Sequence, residues 1–300
     1  MSAAPRRELR VESADGTRIH AEVHGPQDAP TAVLSHGWTC STFFWGPVVE
    51  ELGPEVRVVL YDQRGHGRSA APARGGYSTP ALADDLCAVL QATVPAGTRT
   101  VLGGHSMGAM TIMAAARRPA LRERAGAILL ASTGSANLPA TSQALPGAAR
   151  FPRLGAAAHR FLLGSSLPLG PRTPLTRAAL HYVTMARDAD PKMVDLCTRI
   201  VHACPAATRG QWGKVLGRLD LDEGLRALEQ PTAIIAGTAD RLTPIAHTRR
   251  MAGLLPRCEE VIEIPGAGHM TPLEHPRTVA STIRALIARH LDTDTREETA

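Results

Sequence analysis

The sequence predicts an α/β fold in which a mainly parallel β-sheet is flanked by helices and interrupted by one helical insertion. Short apolar runs alternate with helical patterns up to about residue 131 and again after about residue 222, which is typical of a parallel sheet. Between these regions no strand-like run occurs. A chain of 300 residues with 44% hydrophobic and 20% charged residues suits one large domain with a sizeable insertion.

The first elements are predicted to form an antiparallel edge followed by parallel strands. Two alternating runs flank the hairpin signal Ala14-Asp15-Gly16, and Thr79-Pro80 has the residue types that cap and open a helix. In order, the elements are strands Glu8 to Val11, Thr17 to Val23 and Thr31 to Ser35, helix Ser41 to Leu52, strand Val56 to Tyr61 and a helix from Thr79 to about Thr93.

The stretch Gly104-His105-Ser106-Met107-Gly108 is predicted to be the chemical centre of the chain. A buried strand, Arg99 to Gly103, precedes it, and helix formers up to Arg117 follow it, with a stop at Pro119. A sharp turn between strand and helix would strain the backbone of Ser106 and present its hydroxyl above the sheet. The helix N–H groups would favour negative charge there. Ser106 is therefore the candidate nucleophile.

The second half of the sheet is predicted to follow the insertion. The elements are strand Ala125 to Ala131, helix Asp222 to Glu229, strand Thr232 to Ala236, helix Pro244 to Leu255, strand Glu259 to Ile264 and helix His275 to His290. This pattern divides the chain into a core of residues 1–133 and 222–300 and a helical cap of residues 134–221. Some apolar cap residues could line a pocket or merely pack cap helices together, so none is assigned a binding role: Phe161, Leu180, Val183, Met185, Met193 and Trp212.

The charge, the apolar runs and the cysteines indicate which partners and which cellular compartment to expect. The net charge of +5 comes from scattered arginines without interleaved aromatics, so we expect no nucleic-acid partner. The N-terminus lacks a secretory signal, and no apolar run is long enough to form an integral membrane segment. Five widely spaced cysteines without a Cys-x-x-Cys pair favour free thiols in the cytoplasm. The oligomeric state is not indicated.

A serine nucleophile needs a base and a group that orients the base. Pro265-Gly-Ala-Gly-His269 is a flexible loop directly after the last strand, which makes His269 the candidate general base. Asp240 lies just past another strand and just before a helix. The alternative interpretation of this residue is structural, as an Asx-turn or helix-capping aspartate. The order Ser106, Asp240, His269 is the order expected for this architecture.

Acyl transfer also needs two donors for the developing oxyanion. The backbone N–H of Met107, directly after the serine, is one candidate. The loop His36-Gly37-Trp38 follows the first parallel strand, and Gly37 lets it turn toward the serine. The backbone N–H of Trp38 is therefore the second candidate for the oxyanion hole.

Together these motifs resemble the α/β-hydrolase fold superfamily, in its serine esterase and lipase-like branch. The resemblance rests on His36-Gly37-Trp38, Asp62 to Ser69, Gly104 to Gly108, Gly237 to Asp240 and Gly268-His269, and it covers nearly the whole chain except the insertion. The insertion falls where that family carries its variable cap. The resemblance also implies that Arg64 and His66 are structural and not catalytic.

Related branches of this superfamily differ at diagnostic positions. Haloalkane dehalogenases and epoxide hydrolases place an aspartate where this chain has Ser106, and epoxide hydrolases use two cap tyrosines where the insertion has only Tyr182. Meta-cleavage C–C hydrolases share the serine triad but typically carry a tryptophan after the histidine, where this chain has Met270. Cofactor-free haloperoxidases share the triad too.

The expected function is that of a serine hydrolase acting on carboxylic esters of apolar or medium-sized substrates through an acyl-enzyme, with neither a metal nor an organic cofactor. Two alternatives stay open. One is C–C bond or lactone hydrolysis in small-molecule metabolism. The other is a non-catalytic protein that binds a small molecule, because some members of the superfamily are receptors.

Overall fold

A computed structural model describes residues 7–144 and 164–291, which form one eight-stranded sheet with flanking helices. The strand order is β1-β2-β4-β3-β5-β6-β7-β8; β1 and β2 pair antiparallel with each other and β2 with β4, and all other neighbours are parallel. The strands are β1 Arg7–Glu12, β2 Arg18–His24, β3 Thr31–Ser35, β4 Arg57–Tyr61, β5 Thr100–His105, β6 Ala125–Ala131, β7 Thr232–Gly237 and β8 Cys258–Ile264. The predicted fold class is confirmed.

The helices of the described residues lie between and after these strands. They are α1 Gly46–Leu52, α2 Thr79–Thr93, α3 Met107–Ala115, α4 Pro119–Arg124, α5 Leu138–Thr141, α6 Pro174–Thr184, α7 Pro191–Ala203, α8 Ala206–Leu216, α9 Asp222–Arg226, α10 Ile245–Ala252, α11 Thr271–Glu274 and α12 Pro276–His290. Short 3₁₀ helices at Thr42–Trp45 and Gly53–Glu55 flank α1.

Both faces of the inner parallel strands β3 to β7 are buried, which explains why these strands are continuous apolar runs, whereas the edge strand β8 is largely exposed. Successive residues of β3 belong to different cores: Leu34 packs with residues of α1 and α12, and Val33 packs with residues of α2 and α3. All five residues of β3 are buried. The helices therefore form a layer on each side of the sheet.

The predicted bounds of α2 match the structure, but its predicted cap is wrong, and several other helices are shorter than predicted: α9 ends at Arg226 instead of Glu229, and α10 ends at Ala252 instead of Leu255. Ser78, and not Thr79, caps α2, because Ser78 has the extended backbone of a cap and its hydroxyl accepts the Ala81 N–H at 3.3 Å. The helix after Ser106 ends at Ala115, two residues earlier than predicted, and Pro119 opens α4 because proline is well suited to a first turn.

The two ends of segment 134–221 meet at the edge of the core. Ala136 and Asp220 pair as an isolated antiparallel bridge, and the Leu221 N–H donates to the Ser135 carbonyl at 2.8 Å. An insertion that leaves and re-enters the core at one place requires this geometry. We propose on this basis that residues 134–221 form a cap.

No helix in residues 7–144 and 164–291 has both the length and the apolar character that crossing a membrane requires. All five cysteines are free thiols.

The loop from Asp62 to Ser69 is fixed by a buried ion pair. The Arg64 guanidinium donates to both carboxylate oxygens of Asp85 in α2, at 2.7 and 2.6 Å, and neither side chain is exposed. Arg64 also reaches Asp15 and the Gly76 carbonyl, both at 2.8 Å. Arg64 therefore ties the loop to the β1–β2 turn and to α2.

Replacing Asp85 with asparagine should lower the free energy of unfolding by about 3 kcal/mol, because the substitution leaves a buried guanidinium without its main counter-charge. Urea unfolding followed by circular dichroism measures this change. The matched control is Glu223→Gln, which removes an exposed partner of Arg117 and should change the free energy by less than about 0.5 kcal/mol. Equal midpoints for the two variants would contradict the structural role of the pair.

Candidate active site

Ser106 lies at the turn between β5 and α3 with a backbone that is unusual for a residue with a side chain. Its φ is 53° and its ψ is −116°, a combination that costs about 1–3 kcal/mol. The Ser106 N–H donates to the Ala131 carbonyl at 2.9 Å, and its carbonyl accepts from Ala109 at 3.0 Å and Thr133 at 3.0 Å. These bonds hold the strained turn, and Ser106 is partly exposed between buried neighbours.

Three glycines allow close approach of the chain segments around Ser106: Gly104 and Gly108 to backbone atoms, and Gly37 to side-chain atoms. A Cβ at Gly104 would meet the backbone of Ala109, and a Cβ at Gly108 would meet the carbonyl of Ser35 at the end of β3. A Cβ at Gly37 would lie 3.2 Å from the Ser106 Cβ. The tight turn predicted from the sequence is therefore present, and the loop after β3 lies directly against it.

Asp240 and His269 form a buried hydrogen-bonded pair. The distance between His269 Nδ1 and Asp240 Oδ2 is 2.7 Å. The Asp240 Oδ1 accepts the N–H groups of Leu242 at 2.8 Å and Thr243 at 2.9 Å, and Oδ2 also accepts the Thr243 hydroxyl at 2.7 Å. Because a carboxylate only accepts, the proton of a neutral His269 lies on Nδ1, and Nε2 is left as an acceptor.

The charge state of Asp240 follows from these contacts. Burial alone would raise the pKa of the Asp240 carboxyl. The positive charge of His269 and the hydrogen bonds from His269 and Thr243 outweigh burial, so the pKa is lowered from its usual value. The site therefore keeps a carboxylate in a position to stabilise a histidine cation.

One cavity of about 300 Å³ has both Ser106 and His269 in its wall, together with Trp38 and Thr243. The rest of the wall is mostly apolar: Met110, Leu138, Leu169, Leu180, Val183, Val201, Leu216, Leu242 and Met270. A small polar cluster in an apolar cavity is the usual form of a small-molecule site.

The backbone N–H groups of Trp38 and Met107, the two predicted oxyanion donors, flank Ser106 in the loop after β3 and in the first turn of α3. Within residues 7–144 and 164–291, neither N–H has a hydrogen-bond acceptor. Met107 is the first residue of α3, where N–H groups have no acceptor within the helix. Trp38 follows Gly37, which contacts Ser106, and its indole N–H donates to the Arg209 carbonyl at 3.1 Å.

Two neutral histidines hold the loop after β3. The His36 Nδ1–H donates to the Gly37 carbonyl at 2.8 Å, and its Nε2 accepts the Gln63 N–H at 3.0 Å. His66 Nε2 accepts the Thr39 N–H at 3.3 Å. Burial lowers the pKa of His36 well below its usual value and that of His66 to about 4, so both stay neutral and can accept. The contact between these two loops was not predicted from the sequence.

The backbone on both sides of His269 is held by Glu274, which sequence analysis missed. Its carboxylate accepts the N–H groups of Gly268 and Met270, both at 3.0 Å, and that of Ala186 at 2.7 Å. Burial raises the pKa of Glu274 despite these donors. The His269 N–H donates to the Thr184 carbonyl at 2.9 Å. No motif marks Glu274 in a single sequence, because its role depends on how α11 folds back.

His105 completes the support of His269. Its Nε2–H donates to the His269 carbonyl at 2.9 Å, and burial lowers its pKa to about 3. His105 lies directly before Ser106, so it links the backbone of the candidate base to that of the candidate nucleophile.

The candidate cap residues divide into two groups. Leu180 and Val183 line the cavity with Ser106. Met185 and Trp212 are buried in packing clusters, and Met193 lines a separate surface depression beside Phe43. Phe161 lies outside the described residues. The part of the chain that the structure describes contains no group of three or more histidine, cysteine or acidic side chains arranged to hold a metal ion.

Comparison with known proteins gives one family match and several relatives. The model of the alpha/beta hydrolase family matches residues 32–282. This range includes every candidate site residue named above.

Among curated relatives, a putative carbamate hydrolase RutD of Variovorax paradoxus is 31% identical over 78% of this chain and 83% of its own length. A pimeloyl-[acyl-carrier protein] methyl ester esterase of Xanthomonas campestris is 29% identical over 90% of this chain and 99% of its own. A probable oxidoreductase EphD of Mycobacterium tuberculosis is 27% identical over 94% of this chain, which spans only half of that protein.

Among solved structures, an esterase (EaEST) from Exiguobacterium antarcticum superposes with a TM-score of 0.77 and covers 94% of this chain and all of its own. Its sequence identity is 20%, so this likeness concerns the fold.

Because the backbone of Ser106 is strained, we expect its glycine variant to be more stable than its alanine variant, which reverses the order usual in helices. Ser106→Gly should unfold with a free energy about 1–2 kcal/mol higher than Ser106→Ala, because glycine adopts a positive φ without strain. Urea unfolding of both variants measures the difference.

The control is the same pair of substitutions at Ser281, an exposed position within α12. There glycine should be about 1 kcal/mol less stable than alanine. The same order at both positions would contradict strain at Ser106.

Proposed function

The chain belongs to the alpha/beta hydrolase family, and from that premise we propose that it is a serine hydrolase that cleaves carboxylic esters of apolar or medium-sized substrates through an acyl-enzyme. The observation that carries this proposal is the shared cavity of Ser106 and His269, with Asp240 bonded to the far side of the imidazole. A binding protein would need neither the base nor the acid that orients it.

In the proposed reaction the Ser106 hydroxyl attacks the ester carbonyl while His269 Nε2 takes the hydroxyl proton. Asp240 stabilises the imidazolium that results. The carbonyl oxygen becomes an oxyanion and accepts the free N–H groups of Met107 and Trp38, each of which can lower the barrier by about 3 kcal/mol. The tetrahedral intermediate then collapses, and the leaving alcohol takes its proton from His269.

Deacylation repeats these steps with water. His269 Nε2 removes a proton from water, the hydroxide adds to the acyl carbon, and Ser106 leaves with the proton returned by His269. The products are the free acid and the regenerated serine. Apart from water, this sequence uses only side chains and backbone N–H groups of the described residues.

The apolar wall of the cavity supports an ester with hydrocarbon character, and its volume of about 300 Å³ supports a small to medium-sized acyl or alcohol group. The names of two relatives, a methyl ester esterase and a putative carbamate hydrolase, support attack at an acyl carbon. The free thiols favour the cytoplasm as the compartment of the protein.

Replacement of Ser106 by alanine should reduce kcat by at least about 10⁴-fold on every ester, because no other group in the proposed mechanism can form the acyl-enzyme. The measurement is hydrolysis of p-nitrophenyl esters from acetate to palmitate, which also shows the chain length that the cavity accepts. Ser281→Ala on α12 is the control and should keep full activity. Most of the activity surviving in Ser106→Ala, with a native circular dichroism spectrum, would refute the assignment.

Replacing Asp240 with asparagine should lower kcat by about 10³- to 10⁴-fold. The two backbone donors at Oδ1 would select the asparagine oxygen for that side, which turns its NH₂ group toward His269 Nδ1. The imidazole proton then moves to Nε2, and the base can no longer accept the serine proton.

Steady-state kinetics on the best p-nitrophenyl ester measures the loss. Asp222→Asn removes a carboxylate that pairs with Arg250 outside the cavity, so this control should keep the wild-type kcat. A loss of similar size in both variants would speak against the proposed role of Asp240.

A further inference from the structure

The cavity wall contains one buried cation that the proposed mechanism does not use. Arg209 in α8 lines the cavity and is only 8% exposed. Within residues 7–144 and 164–291 its guanidinium has no carboxylate partner, and the sole acceptor found for it is the Leu167 carbonyl. No aspartate or glutamate of the described residues lines this cavity.

Arg209 is held in this position by the docking of α8 on the core. The Trp38 indole N–H bonds to the Arg209 carbonyl at 3.1 Å, the Thr208 hydroxyl donates to the Gly65 carbonyl at 3.1 Å, and the Trp212 indole N–H donates to the Arg64 carbonyl at 3.2 Å. These three bonds come from both sides of Arg209 in the helix. The bonds therefore fix the helix at Arg209 against the core, and the Leu167 carbonyl accepts a hydrogen bond from the guanidinium.

The neighbouring chain adds some positive charge. Residues 164–187, which contribute Leu169, Leu180 and Val183 to the cavity wall, contain no aspartate or glutamate and three arginines, Arg172, Arg177 and Arg187. One of these, Arg177, pairs with Asp195 in α7. An excess of one sign of charge raises the local concentration of ligands of the opposite sign.

Burying a guanidinium without a counter-charge costs free energy, because burial removes its hydration and no carboxylate compensates for the loss. Its planar fork of donors matches a carboxylate, which it binds through two parallel hydrogen bonds. A substrate made only of hydrocarbon and an ester would leave this group unpaired in the bound state. A substrate with a carboxylate would supply the missing partner.

We infer that the substrate is an ester that also carries a carboxylate, which pairs with Arg209 while the ester carbonyl lies at Ser106. The inference rests on the proposed function and names the substrate class of the same cavity. The residue that joins the two ends is Trp38: its backbone N–H is an oxyanion donor in the proposed mechanism, and its indole holds the Arg209 backbone.

The experiment compares matched esters in which one carboxylate is either free or methylated, and Arg209→Gln shows how much of each rate difference depends on this residue. One pair is p-nitrophenyl hydrogen glutarate and p-nitrophenyl methyl glutarate, with the carboxylate on the acyl side. The second pair is 4-butanoyloxybenzoate and its methyl ester, with the carboxylate on the alcohol side. In at least one pair the wild type should prefer the anionic member by about tenfold to a hundredfold in kcat/KM, and the pair that shows the preference identifies the side.

Arg209→Gln should abolish this preference, mainly by raising KM for the anionic ester, while the neutral ester is hydrolysed at a similar rate. Arg209→Lys should restore part of it, because the charge is kept and the fork is lost. The control is Arg241→Gln, which removes a nearby arginine whose guanidinium lies over the Tyr182 ring and does not line the cavity. The control should leave the ratio of the two rates unchanged.

A binding measurement tests the inference independently of turnover. Ser106→Ala should bind monomethyl glutarate more tightly than dimethyl glutarate in titration calorimetry, and the added Arg209→Gln substitution should remove the difference. Equal binding of the two compounds, or an anionic preference that survives in Arg209→Gln, would overturn the inference. Serine-dependent hydrolysis of the neutral esters, with no effect of Arg209→Gln on either member of a pair, would also overturn the inference and would leave the esterase proposal intact. Tight, Arg209-dependent binding without turnover of any ester by the wild type would overturn the esterase proposal and, with it, the inference that the substrate is an ester.

Discussion

The contact between α3 and the end of β3 is the constraint on which the rest of the site depends. At Gly108 the helix backbone lies against the carbonyl of Ser35. The turn at Ser106 is therefore so tight that its backbone angles are unusual. The same contact brings the loop after β3, with Gly37, against the serine side chain. The strain in one residue is thus accompanied by close packing of the segments around it, and the surrounding fold holds the strained conformation in place.

Histidine has two different roles in this small region, and its partners decide which. His36, His66 and His105 are buried among backbone groups, where burial lowers their pKa values and keeps them neutral. They act as fixed donors and acceptors for the loops. His269 instead contacts the Asp240 carboxylate, which stabilises its cation, and its other face lies at the cavity. The three scaffold histidines therefore keep a fixed hydrogen-bond pattern around the candidate base.

Much of the fold could be predicted from the sequence, because the inner parallel strands are buried on both faces and read as continuous apolar runs between helical patterns. Ser106, Asp240, His269 and the loop with Trp38 lie at the carboxyl ends of strands, and their chemical roles stay predictions. Glu274 and Arg209 could not be found in this way. Glu274 bonds to the backbone on both sides of His269 and to Ala186, and the Arg209 carbonyl bonds to Trp38, and such contacts depend on how the chain packs and not on a local motif.

The contacts of segment 134–221 with the loops of the site have a consequence for the exchange of parts between relatives. The Thr184 carbonyl receives the His269 N–H, and the Arg209 carbonyl receives the Trp38 indole N–H. Backbone groups from this segment are therefore built into the positions of both the proposed base and the proposed oxyanion loop. A chimera that replaces the whole segment with that of a relative would have to reproduce the turn at Thr184–Ala186 and the position of α8 on the core. Otherwise it would alter the reaction rate together with the choice of substrate. In the proposed mechanism, main-chain atoms of this segment couple substrate specificity to reaction rate. Recombination within α6 or α8 would therefore separate residues that depend on one another for their positions.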